Sequence, residues 1–173
     1  VGGNTPNLNP SLFWVSEMLG ENEAEILLRV FGKFLSGVAC GFRGQYDYPQ
    51  FTPDAVVEWS KGLLSPYTGV KHPLKPAHRV IKRLVKRRLA VCIQPILRLY
   101  MLTDEGLKIA KQLWLKKNLK ELVSQALKQI NKPTTTISEI KTLIHQNLSS
   151  YKTRSGNPIF NQQDIEKTLT KDA

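Results

Sequence analysis

The chain has 173 residues, 41% hydrophobic and 23% charged, which is the composition of a chain that buries a core and excludes wholesale disorder. Its 25 Lys and Arg against 14 Asp and Glu give a formal charge of +11, and eight of those cations fall between Lys71 and Arg88 with no acid among them. The excess is therefore local, and its natural counterpart is a polyanion.

No apolar run approaches the roughly 20 residues that a membrane span needs. The patch Leu12 to Val15 lacks the preceding cations of a leader, so no membrane partner is expected. Cys40 and Cys92 have no CxxC spacing and read as buried free thiols of a reducing interior. The opening Val1-Gly2-Gly3, without Met, is that expected of a fragment of a longer protein.

Residues 1–9, rich in Gly, Asn and Pro, read as a loose arm. Asn9-Pro10 opens a short helix over 10–19, with Asn as cap and Pro at the first helical position, and Gly20 ends it. Asn22 caps a second helix with Glu23 and Glu25 in its first turn. Its stripe of Ile26, Leu27, Val30, Phe31, Phe34, Leu35 and Val38 marks a core helix; Gly32, Gly37 and Gly41 weaken it, and the last is expected to end it. Residues 41–51 form a loop with Phe42, Tyr46, Tyr48 and Phe51, read as packing rather than as a platform for bases. Thr52-Pro53-Asp54 restarts a helix, closed between Gly62 and Pro66. A turn-rich connection from Ser65 to Pro73 then leads into the basic segment, a helix at about 75–88.

After Arg88 the period changes. Leu89 to Gln94 is a short β-like run, Pro95 breaks it, and Ile96 to Leu102 is a second run, which together predict a hairpin. Thr103 caps a helix from 104 to about 130, favoured at its start by Asp104 and Glu105 and bent near Asn118. Leu107, Ala110, Trp114, Leu119, Leu122, Val123, Ala126, Leu127 and Ile130 give it one persistent apolar stripe. At about 40 Å it projects beyond a small core, so its stripe packs on the domain or pairs with a second copy. Thr136-Ile137-Ser138-Glu139 is a capping box opening a helix with Ile140, Leu143, Ile144 and Leu148. Ser149 to Pro158 reads as polar loop, and Asn161 caps a last short helix with Ile165 and Leu169.

A helix–turn–helix, a two-stranded hairpin and a helix opening at Leu102-Thr103-Asp104-Glu105-Gly106 describe a winged helix. Residues 84–107 resemble bacterial winged-helix regulators of the MarR and PadR types, in which the recognition helix leads into a strand, a wing and a second strand ending in Leu-Thr-x-x-Gly. The resemblance covers residues 24–116. It implies a mainly α fold: a winged helix-turn-helix with a short two-stranded β-hairpin and a long C-terminal helical extension. The organisation it implies is an N-terminal arm and short helix (1–21), a DNA-binding domain (22–117) and an extension for dimerisation or partner binding (118–173). The function it implies is sequence-specific binding of duplex DNA by a dimeric transcriptional regulator, cytoplasmic and nucleoid-associated. One departure is visible: the wing, centred on Gln94-Pro95, lacks the Gly/Asp/Arg-rich tip that often reaches the minor groove, so base reading by the wing is not expected.

On a helix, Lys75, Arg79, Lys82, Arg83 and Lys86 share a face opposite Ile81, Leu84 and Val85. Arg79 and Arg83 are the candidates for base edges, because guanidinium offers guanine a bidentate fork. Lys75, Lys82 and Lys86 are candidates for phosphates. Lys71 and His72 precede the helix and His78 lies in its first turns, where they would flank the DNA backbone; Arg87, Arg88 and Arg98 lie near the hairpin base. No His has a metal-ligand partner at helical spacing, and no phosphate loop, nucleophile elbow or zinc-type cysteine set is present. The expectation is a binding protein without cofactor, metal or catalysis. The competing expectation is an interaction module of a replication, mobile-element or ribonucleoprotein assembly, whose basic face meets RNA or an acidic protein.

Overall fold

The computed structural model describes residues 19–39, 42–43, 47–59 and 74–172. The expected helix at 10–19, Cys40, Tyr46, the helix end at 62–66, and the connection carrying Lys71 and His72 lie outside the described residues.

The elements, in chain order, are α1 (Glu21–Leu35), β1 (Val38–Ala39), β2 (Phe42–Arg43), β3 (Gln50–Phe51), α2 (Pro53–Trp59), α3 (Leu74–Lys86), β4 (Ala90–Gln94), β5 (Leu99–Leu102), α4 (Asp104–Gln129), α5 (Ile137–Leu148) and α6 (Gln162–Asp172). β1 and β2 pair with each other, and a second antiparallel sheet has the order β3-β5-β4. Helix, strand, two helices and a hairpin whose return strand takes in the earlier strand: this is a winged-helix arrangement, followed by a helical extension. None of the described helices is long and apolar enough to cross a membrane.

The hairpin therefore belongs to a three-stranded sheet and does not stand as a pair. β3 is only two residues long, too short for alternation to announce it. Its pairing sets Phe51 opposite Tyr100, and the two rings stack at 5.7 Å.

α1 differs from its expected ends. Gly20, not Asn22, occupies the cap position, and the helix stops at Leu35. Gly37 stops it: with φ +77° it takes the left-handed conformation and donates its N–H to the Phe34 carbonyl at 3.0 Å, turning the chain into β1. α3 stops by the same device with a costlier residue. Arg88 has φ +62°, and the N–H groups of Arg88 and Leu89 return to the carbonyls of Val85 and Leu84, while buried Leu84 and Leu89 supply the apolar half of the motif.

The caps expected at Thr52, Thr103, Thr136 and Asn161 are all present. Each side chain accepts the N–H of the third residue on, at 3.1, 3.1, 3.2 and 2.9 Å. Thr103 does more than cap. Its hydroxyl donates to the Arg88 carbonyl at 2.7 Å and its N–H to the Leu89 carbonyl at 3.0 Å, joining the end of α3 to the start of α4. Gly106 completes the junction, because a Cβ there would overlap the Leu89 carbonyl.

α4 runs unbroken from Asp104 to Gln129, about 39 Å. Its buried residues do not form the single stripe expected. At about 100° per residue, Gly106, Ile109 and Ala110 lie on one side, while Leu115, Leu122 and Ala126 lie about half a turn away. The helix is enclosed because α1, α5 and α6 all pack on it. Phe31 of α1, Trp114 of α4, and Tyr151 and Phe160 of the α5–α6 connection form one aromatic cluster, with Phe31–Phe160 centroids 5.8 Å apart and Trp114–Phe160 5.3 Å. One continuous core runs from Ile26 to Ile165. The expected thiol burial is only partly met: Cys92, a free thiol on β4, is half-buried.

Gly106→Ala should destabilise the protein by about 2–4 kcal/mol, since the obstacle is backbone that cannot rotate away. Thr103→Ala should cost about 1–2 kcal/mol and Thr103→Ser much less. Urea unfolding monitored by helical circular dichroism measures all three, and an unchanged midpoint for Gly106→Ala would remove the junction from the account.

Candidate nucleic-acid interface

α3 buries Ala77, Val80, Ile81 and Leu84 at 1% exposure or less. With that face fixed, positions 75, 79, 82 and 86 lie within about 60° of one another on the opposite side. Arg79, Lys82 and Lys86 are exposed there, and among the described residues none of the three has an ion-pair partner. The backbone of Lys75 belongs to the same row; its side chain lies outside the described set. A row of unneutralised cations on the outside of a core-anchored helix is rigid in position and open to solvent.

Two expected members of the face have another attachment. Glu23 of α1 is 2% exposed, and its carboxylate lies 3.1 Å from the Arg87 Nε and 3.9 Å from an Arg83 Nη. The closer contact is charge against charge without hydrogen-bond alignment, since Glu23 Oε2 has no hydrogen-bond partner. Arg83 is thus drawn to the flank facing α1, away from Arg79 and its neighbours. The sequence pattern assigns Glu23 only to the first turn of its helix. The signal that could have found it is its place on the stripe itself, three and four residues before Ile26 and Leu27. Val85, expected on the buried side, is 36% exposed.

The opposite flank is closed by the wing. The Arg98 Nη1 donates to the His78 Nε2 at 3.3 Å, which makes that nitrogen an acceptor and the ring neutral, with its proton on Nδ1. Burial above all, and then the charges of Arg98 and Lys82, hold the His78 pKa below its ordinary 6.5, with Asp54 of α2 opposing weakly. The wing turn is residues 95–98 and not Gln94-Pro95: β5 begins only at Leu99, and Arg98 takes a left-handed φ of +53°. Arg88 is exposed at the end of α3.

The structure thus brings His78, Arg79, Lys82, Arg83, Lys86, Arg87 and Arg98 onto one helix and its two flanks. Phe51 is fully buried against Tyr100, so it is packing, as expected, while Tyr48 is 46% exposed. Among the described residues, no group of three or more His, Cys, Asp or Glu side chains is placed to hold a metal ion. Comparison with known proteins gives no match: no family model, no curated protein and no solved structure is similar to this chain.

Arg87→Ala should cost about 1–3 kcal/mol, because it strips a buried carboxylate of its nearer partner, and adding Glu23→Gln should restore most of that loss in a double-mutant cycle. An additive cycle would remove the coupling. For His78, folding lowers proton affinity, so the unfolded chain gains a proton first as the pH falls below 6.5. Its contribution to stability is full above that pH and is lost as the pH falls towards the lowered native value. Urea midpoints at about pH 7.5 and about pH 5.5 should therefore differ less in His78→Gln than in the parent.

Proposed function

We propose that this protein binds double-stranded DNA, laying the exposed face of α3 in the major groove. The observation that carries the reading is the row Arg79, Lys82 and Lys86, unpaired among the described residues and fixed from behind by four buried apolar side chains. An α-helix fits the major groove of B-form DNA, whereas the deep, narrow major groove of A-form RNA does not admit one. That favours a DNA duplex over RNA.

Within this reading Arg79 meets base edges and Lys82 and Lys86 meet phosphates. The tether to Glu23 makes Arg83 and Arg87 flanking phosphate contacts, which moves Arg83 away from base reading. Arg98 approaches the backbone from the wing. Sequence preference, pairing of two copies through residues 104–130, a role in transcription and a place in the cytoplasm beside the nucleoid belong to the same proposal, as does kinship with MarR- and PadR-type regulators. Pairing through that segment rests on Leu127, 45% exposed near the far end of α4. The reading involves no catalysis. In the cleft of about 470 Å³ between α4 and the 153–159 segment, Asp47 accepts the Ser155 N–H and Lys111 holds Asp164 and the Ile159 carbonyl. Those groups are engaged in holding the fold together.

The test is fluorescence anisotropy on random and selected duplexes across a salt series. About six phosphate contacts predict a log–log slope near −5. Arg79→Ala should cost about 1–3 kcal/mol on preferred sequences and little on random ones, whereas Lys82→Ala should weaken all duplexes alike and flatten the slope by about one. A salt-independent signal, or tighter binding to single-stranded RNA, would overturn the reading. Light scattering on the eluted protein checks the pairing.

A further inference from the structure

The wing presents apolar side chains where a solvent turn would carry polar ones. Ile96 is 89% exposed and Leu97 68%, and behind them on β4 Val91 and Ile93, the latter at an irregularity in the pairing with β5, are 40% and 42% exposed. Single exposed leucines need no explanation, but four neighbouring aliphatic residues on one hairpin do. The tip is also held in shape. Arg98 donates its N–H to the Pro95 carbonyl at 3.2 Å, Ile96 donates its N–H to the Gln94 Oε1 at 3.2 Å, and Arg98 is fixed to His78.

Position indicates what such a tip meets. Arg98, which closes the turn after Ile96 and Leu97, is hydrogen-bonded to His78 of α3, and the charges of Arg98 and Lys82 both act on that ring, so the turn is anchored to the cationic helix at His78. A matching surface has a negative rim and an apolar interior reached through a narrow opening. A stacked duplex has both, and a second copy of a chain with charge +11 has the wrong rim. Ile, Leu and Pro are among the side chains that enter base steps as wedges.

We propose that Ile96 and Leu97 enter the minor groove next to the α3 site, unstack a single base step and kink the duplex. This rests on the duplex reading above. Both side chains are largely in solvent, so their replacement leaves the core intact.

The experiment uses the full chain with a duplex of about 25 base pairs carrying 2-aminopurine at successive steps of the flank and a dye pair at its ends. The parent should raise 2-aminopurine fluorescence at one step and shorten the end-to-end distance. Ile96→Ala/Leu97→Ala should abolish both, bind about tenfold more weakly and keep the salt slope. Ile96→Phe should retain the fluorescence rise. Duplex binding without unstacking or bending, equal in parent and double variant, overturns the wedge and leaves the duplex reading standing. No duplex binding by the parent overturns both. If the double variant instead loses concentration-dependent self-association, or binding to anionic vesicles, the tip serves a protein or lipid contact and the wedge is overturned.

Discussion

The hydroxyl of Thr103 lies at the point where α3, the sheet and α4 meet. It accepts the Gly106 N–H at the start of α4 and donates to the Arg88 carbonyl at the end of α3, while its own N–H closes on Leu89. One residue thereby fixes the direction in which α3 ends relative to the direction in which α4 begins. Gly106 is the steric condition for that contact, since any side chain there would force the two backbones apart. The Leu-Thr-x-x-Gly sequence is thus a statement of geometry. Leu102 is fully buried, Thr103 satisfies otherwise unpaired backbone groups on both helices, and Gly106 permits the approach.

With its end pinned, α3 can carry charge without being distorted by it. Four buried apolar residues hold one side, and the cations on the other are differently placed at its two edges. At one edge, Glu23 draws Arg83 and Arg87 towards α1. At the other, His78 is neutral and takes a hydrogen bond from Arg98, which brings a further cation to that flank. The centre of the row is left uncompensated among the described residues. Glu23 offsets part of the charge of Arg83 and Arg87, while Arg98 adds a cation beside His78, so the face is most strongly positive along the row and its His78 side.

Much of this is legible in the chain. The four caps at Thr52, Thr103, Thr136 and Asn161 are readable because each is a local exchange between a side chain and an amide three residues on. The amphipathic α3 is readable because charge and apolarity alternate at helical period without exception between Ala77 and Leu84. Four features are not. β3 has two residues, fewer than any pattern needs. The pairing of Glu23 with Arg83 and Arg87 joins elements distant in sequence, and only the position of Glu23 on a buried stripe hints at it. The sequence sets the wing tip two residues early, at Gln94-Pro95, because Pro95 begins the turn and the strand resumes only after Arg98 has crossed into left-handed space. The exposure of Ile96 and Leu97 is hidden because an apolar run reads as strand until the pairing register is known.

The apolar residues of α4 read in sequence as one stripe, yet the helix buries opposite sides before and after the stretch from Ala110 to Leu115. Each half is seated against different neighbours, so the angular offset between halves is fixed by the residue count separating them. Inserting or deleting one residue there would swing the distal half by about 100° and bring polar positions inward. Length along this rod is therefore quantised: it tolerates change in near-complete turns or not at all, in the manner of a keyed shaft.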